Sequence, residues 1–219
     1  MTNQYKDKPY NDYGQWIRQR FPFRVQKISV DAGFSCPNRD GTISHGGCIF
    51  CDNRTFNPSY CQPSKSIAQQ MEEGKAFFRR KYPDMKYLAY FQAYSNTYAP
   101  LDVLKRRYEE ALAVEDVVGL VIGTRPDCIS PELLDYLEEL NRRTFLIVEY
   151  GIESVNDDTL RHINRGHDFE CSRRAIELTH DRGILTGGHI ILGLPGEDRE
   201  ENIRQASIVS DLKLDILKI

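Results

Sequence analysis

VVGLVIGT, residues 117–124, holds eight residues without a charge and without polar–apolar alternation. A strand with one wet face alternates, whereas one apolar throughout is buried on both faces, as in a parallel sheet covered by helices. The flanking sequence repeats a strand–helix rhythm. Upstream, LDVLKRRYEEALA reads as a helix, KYLAYFQA (86–93) as a strand, and SIAQQMEEGKAFFRRKY (66–82) as a helix with Ser66 at its N-cap and cations at its C-terminus. KISVD (27–31) is the first strand. Downstream, SPELLDYLEELNRR places Ser130 at an N-cap and Pro131 at the first helical position. The strand FLIVEYG (145–151), a helical region through CSRRAIELTHDRG, the strand LTGGHIILGL (185–194), the helix REENIRQASIVSDL and a last strand in LDILKI follow.

Six strands and five helical crossovers predict an α/β fold with a parallel sheet and helices outside it. The pattern alone does not choose between an open doubly wound sheet and a barrel, although no glycine-rich dinucleotide turn follows any strand. The last strand reaches Ile219 with no closing helix, and a bare barrel edge there would be unprotected, so the chain reads as part of a longer protein.

At 219 residues, 40% hydrophobic and 28% charged, the composition is that of one globular domain and excludes a disordered chain. No apolar run approaches the roughly 20 residues that span a bilayer, and the polar N-terminus lacks a secretory or transit pattern, which favours the cytoplasm and no membrane partner. Net charge is −3, against a broadly basic nucleic-acid binder. Locally, residues 1–26 form a basic, aromatic leader ahead of a core at 27–219. The first thirty residues hold Lys6, Lys8, Arg18, Arg20, Arg24 and Lys27 against Asp7 and Asp12, with Tyr5, Tyr10, Tyr13, Trp16 and Phe21 among them. Such a segment either grips phosphates and stacks bases or packs its aromatics on the domain.

Six cysteines in a reducing compartment are better read as ligands or thiols than as three disulfides. The loop CPNRDGTISHGGCIFCDN brings three together, Cys36, Cys48 and Cys51. His45 offers a fourth ligand for a Cys3His zinc site, within one short loop. A 4Fe-4S cluster on three thiolates keeps one iron open for a small molecule and needs no fourth ligand. Cys61, Cys128 and Cys171 stand singly, like small buried hydrophobes, and His45, His167 and His189 have no assigned role.

CPNRDG, GGCIFC, YFQAYSNTYAP, GTRPDCIS, EYGIES, INRGHD and GHIILGLPGE, in this order over Tyr13 to Ile219, resemble the radical S-adenosylmethionine (SAM) enzymes. Within them they resemble the YhcC/YtqA group, related to the elongator catalytic subunit and to oxygen-independent coproporphyrinogen oxidase. Eleven residues between the first two cysteines replace the three of the commonest family pattern. The resemblance implies a partial (β/α)6 parallel barrel, TIM-like, with its site at the C-terminal ends of the strands. It implies a 4Fe-4S cluster on Cys36, Cys48 and Cys51, SAM on the open iron, reductive cleavage to a 5′-deoxyadenosyl radical, and hydrogen-atom abstraction. Implied cofactor contacts are Phe50, Gln92, Ser95 and Asn96; Glu153 on the ribose, with Glu149 a second candidate; Arg165 on the methionine carboxylate; and Ile191 or Leu194 on adenine. Implied partners are transfer RNA, as a wobble-uridine substrate, and a flavodoxin or ferredoxin electron donor. A porphyrin-like small molecule is the enzymatic alternative, and a zinc-stabilised RNA-binding module the other.

Overall fold

The computed structural model describes residues 10–52, 57–79 and 84–219. Six strands, β1 (Arg24–Val30), β2 (Met85–Phe91), β3 (Val117–Thr124), β4 (Phe145–Glu153), β5 (Leu185–Ile190) and β6 (Ile216–Lys218), form one sheet. Every pairing is parallel and the spatial order follows the chain order, β1 to β6. A doubly wound sheet reverses direction at a switch point; this one steps the same way at each crossover and curls into a half-barrel. That resolves the choice left open by the sequence pattern. β1 and β6 are its two edges.

Seven helices complete the described fold: α1 (Tyr13–Arg20), α2 (Ile67–Arg79), α3 (Leu101–Leu112), α4 (Pro131–Asn141), α5 (Asp157–His162), α6 (Phe169–His180) and α7 (Arg199–Ser210). Short polar side chains start most of them by accepting first-turn N–H groups: Asp12, Ser66, Ser130, Asn156, Asp168 and Asp198. The helical region after β4 divides in two, because Gly166 at φ +83° turns the chain between α5 and α6.

Strand alternation sorts the apolar side chains into two cores. Outward residues such as Tyr87, Phe91, Leu120, Ile122, Leu146 and Val148 pack under the helices. Inward residues Leu88, Tyr90, Val121 and Ile147 form a second cluster with Ile17 of α1, flanked by Tyr13, Trp16, Phe21 and Phe145. Phe21 meets Phe145 edge-on at 5.0 Å and Trp16 meets it at 6.4 Å. Tyr13, Trp16 and Phe21 of the leader thus plug the lower end of the half-barrel, which is the packing alternative of the sequence reading, while Tyr10 is exposed; Tyr5, Lys6 and Lys8 lie outside the described residues. β1 starts at Arg24, three residues ahead of KISVD, and β2 and β5 end at Phe91 and Ile190, short of the apolar runs. The residues beyond those two ends form turns over the cavity.

Ile17 is 7% exposed at the centre of the plug. Ile17→Ala is expected to cost about 2–4 kcal/mol in urea unfolding; a loss below about 1 kcal/mol would show that α1 is not seated on the barrel.

Candidate active site

β1 runs into the cysteine loop at the top of the barrel. Cys36 accepts the N–H groups of Arg39 and Asp40 in a turn, and Cys51 N–H closes another on Cys48 O at 3.0 Å. Glycines at positive φ, Gly41, Gly46 and Gly47, allow the bends between them. Two asparagines fasten the loop to the turn after α5. Asn38, fully buried, donates from Nδ2 to Asn164 O and to Cys48 Sγ at 3.5 Å; Asn164 donates back to Gly47 O at 2.9 Å. Ile49 N–H donates to Ile163 O at 3.1 Å.

Cys36, Cys48 and Cys51 all line one cavity of about 480 Å³ above the C-terminal ends of β2 to β5. Burial and the neighbouring Cys48 push the Cys51 thiol up, against a hydrogen bond from Arg39. Arg165 donates toward Cys48 Sγ at 3.6 Å, and hydrogen bonds to sulfur are one of the levers that tune iron–sulfur sites. Arg165 Nε and Arg125 Nη1, on two residues of the cavity wall, are buried donors without a partner. Among the described residues no group of three or more His, Cys, Asp and Glu side chains is drawn tight enough for a single metal ion. His45 is exposed, packs over Gly41 and does not line the cavity, so the Cys3His arrangement does not form. Three thiols spread round a roomy cavity, with orphaned donors behind them, fit a cluster larger than one ion.

Glu153 and Arg165 face each other across the cavity's inner wall, 3.6 Å apart and nearly buried. Glu153 holds a left-handed backbone at φ +70°, a conformation that costs a non-glycine residue about 1–3 kcal/mol and turns this carboxylate toward the cavity. Arg165 is anchored on Gly151 O, and a Cβ at Gly151 would lie 2.7 Å from its Nη2, so only glycine admits the guanidinium there. Phe50, Gln92 and Ile191 also line the cavity.

Three sequence candidates lie elsewhere or have other partners. Ser95 and Asn96 are fully buried off the cavity: Ser95 Oγ accepts from Arg125 N–H, and Asn96 Nδ2 donates to Gly123 O at 2.8 Å, so together they fix the loop after β2 to the end of β3. Leu194 packs with Leu160 and Ile163 under the loop rather than on the cavity. Cys61, Cys128 and Cys171 are separate, with thiols pushed up by burial to about 12, 12 and 11. His167 is held neutral, its value lowered to about 4 by burial and by the charge of Arg165.

Glu149, the second ribose candidate, reaches into the barrel floor, where both of its oxygens are engaged. Lys27 of β1 meets Oε1 at 2.6 Å; Tyr90 of β2 donates to Oε2 at 2.8 Å; His189 Nε2 lies 2.9 Å from Oε2; Lys218 of β6 stands 3.8 Å away. Room for it comes from Gly187, where a Cβ would meet Glu149 Cγ at 2.8 Å. Burial alone would push this carboxyl up; the His189 hydrogen bond and the charges of Lys27 and Lys218 outweigh it and hold the group well below the ordinary carboxylate range. Sequence reasoning passed over Tyr90, Tyr94, Thr124, Arg125 and Lys218, all on the cavity wall. The parity of β2 carried the missing signal for Tyr90, since it lies two residues from Gln92 and so on the same face.

A carboxylate depressed in the folded state stabilises above the unfolded value near pH 4.3 and loses that contribution as pH falls below it. Glu149→Gln is therefore expected to lower stability by about 2–4 kcal/mol at pH 7, with the gap to the parent closing below about pH 4 in urea titrations. A gap independent of pH would refute the ionic account.

Residues 39–205 match the family model of the Radical SAM superfamily, a span that includes Cys48 and Cys51 and starts just after Cys36. The uncharacterised protein YtqA of Bacillus subtilis is 42% identical over 213 residues, covering 97% of this chain and 66% of YtqA. The protein YhcC of Escherichia coli is 39% identical, covering 97% and 68%. The chain thus spans about two thirds of the length of these curated relatives. A shorter stretch of 105 residues, 47% of this chain and 19% of the other, is 30% identical to a tRNA uridine(34) acetyltransferase of Methanocaldococcus jannaschii. Among solved structures, the fold is shared with archaeal Elp3 of Methanocaldococcus infernus (TM-score 0.63, 17% identity, 88% of this chain and 44% of that one). It is shared also with the radical SAM coproporphyrinogen III oxidase HemN of Escherichia coli (TM-score 0.56, 17% identity, 95% and 48%). With the half-barrel, the three thiols on one cavity and a family match over most of its length, the chain belongs to the Radical SAM superfamily, whose enzymes use a 4Fe-4S cluster and S-adenosylmethionine.

Proposed function

We propose that this chain is the SAM-cleaving core of an enzyme that modifies the wobble uridine of transfer RNA, trimming a carboxymethylaminomethyl group toward aminomethyl. The observation that carries the SAM-cleaving part is the cavity itself: three thiols, an arginine–glutamate pair and an apolar rim on one wall-to-wall space at the strand ends. When bound, a 4Fe-4S cluster supplies the electron that splits SAM into methionine and a 5′-deoxyadenosyl radical.

Cys36, Cys48 and Cys51 hold the cluster in this reading. The planar fork of Arg165, with Nε free, offers charge-assisted donors to the methionine carboxylate. Glu153 accepts from the ribose hydroxyls, Gln92 hydrogen-bonds the polar end of the cofactor, and Phe50 and Ile191 give apolar contact. A flavodoxin or ferredoxin type of protein delivers the electron. The uridine substrate is supported by the local similarity to a tRNA uridine(34) acetyltransferase. The family match removes the zinc-stabilised RNA-binding module as an alternative.

Anaerobic reconstitution is expected to give a brown protein with about four irons whose reduced electron paramagnetic resonance signal changes on adding SAM. Replacing Cys36, Cys48 or Cys51 by alanine abolishes that signal; retention of it by Cys36→Ala would sink the ligand assignment. Arg165→Lys is expected to keep the cluster and weaken SAM binding about tenfold. Transfer RNA should bind with an affinity that falls steeply with salt, and its absence would end the RNA reading while leaving the SAM chemistry untouched.

A further inference from the structure

The barrel floor holds more cations than its one carboxylate can neutralise. Lys27 and Lys218 stand on the two edge strands, β1 and β6, and both point inward to Glu149 on β4. The other charged pairs around the cavity close among themselves, Arg165 with Glu153 and Arg125 with Asp127. Lys27 has its ion pair at 2.6 Å. Lys218 has none as close: its Nζ donates to the neutral phenol of Tyr90 at 2.9 Å and lies 3.8 Å from a carboxylate oxygen already taken by Tyr90 and His189. Both ammonium groups also lie over the Tyr90 ring, 4.9 and 5.1 Å from its centre. An ammonium has three N–H donors; the Lys218 side chain is about half exposed, so the donors that Tyr90 does not take stand open on the cavity for an incoming anion.

We propose that Lys218, backed by Lys27 and set by Tyr90 and Glu149, is the seat for a carboxylate carried by the substrate. The position selects the kind of anion. Tyr90 of β2 lies two residues before Gln92, which follows the strand end, and so about 7 Å deeper into the barrel at 3.3 Å per residue. A carboxylate at the tip of a flexible side group suits a seat at that depth. The seat lies on the cavity wall, with Lys218, Tyr90, His189 and Glu149 all lining it, so such a group would hold the bonds behind it beside the SAM-binding wall. Its register partner on β5 is His189, whose Nε2–H donates to Glu149 and fixes the carboxylate in place. The inference rests on the proposed reading insofar as it takes the substrate to be a uridine with a carboxymethylaminomethyl group.

The test is equilibrium binding to the cluster- and SAM-loaded protein. The probes are an anticodon stem-loop bearing that group, the same stem-loop with the carboxylate as its methyl ester, and coproporphyrinogen III with its ester. The expected result is that the parent binds the carboxylate stem-loop about tenfold tighter than the ester, that Lys218→Met removes the preference, and that Lys218→Arg restores most of it. Iron content reports that each variant still folds and loads. Carboxylate preference with the porphyrinogen alone, lost in Lys218→Met, would keep the seat and overturn the RNA reading. Stem-loop binding with equal affinity for acid and ester would do the reverse. No preference for any acid over its ester, or a preference that survives Lys218→Met, overturns the seat.

Discussion

One carboxylate on the middle of the sheet decides what the half-barrel is. Glu149 takes a lysine from one edge strand, a phenol from β2 and an imidazole from β5, and lies within reach of a lysine on the other edge. A parallel sheet that curls without closing has no hydrogen bonds between its first and last strands; here side chains of β1 and β6 converge on a common anion in the interior. The desolvation of that anion is severe, and it is offset only because several partners arrive together. The same convergence makes the floor polar where the plug below it, built from Ile17, Leu88, Val121 and Ile147, is oily. The barrel is therefore sealed beneath and charged in the middle, and its thiols sit at the top.

Above the floor, small residues do what large ones could not. Gly151 and Gly187 face inward on neighbouring strands, and each stands where a side chain would collide with a functional group, Arg165 in the first case and Glu149 in the second. A strand interior usually loses stability by carrying glycine. In β4 and β5 that loss gives room for an arginine and a glutamate to reach the cavity, and the strained backbone of Glu153 continues the same trade of local stability for position.

Much of this was legible in the chain. The apolar run of β3, the serine and proline ahead of α4 and the six-fold strand–helix rhythm fix a parallel α/β sheet, because burial on both faces leaves a compositional mark. The three cysteines were equally clear. Ser95 and Asn96 were harder, since hydrogen-bonding residues near a strand end look alike whether they face a ligand or, as here, the neighbouring backbone; Leu194 was harder because an apolar residue in a turn does not show whether it meets a ligand or, as here, Leu160 and Ile163. Glu149 is a site candidate from the sequence but its partners are not, because a lysine in KISVD and another in LDILKI carry no sign that they meet. That meeting depends on the curl of the whole sheet, and contacts between residues 122 positions apart, as for Lys27 and Glu149, leave no local pattern.

The fastening of the cysteine loop has a wider consequence. Asn38 touches the sulfur of Cys48 and the carbonyl of Asn164 with a single amide, and Asn164 is the neighbour of Arg165. The thiol loop and the turn that carries the guanidinium are thus tied, so that displacing one breaks the hydrogen bonds holding the other. A long loop between the first two cysteines thereby gains a fixed anchor on a part of the barrel 126 positions further along the chain.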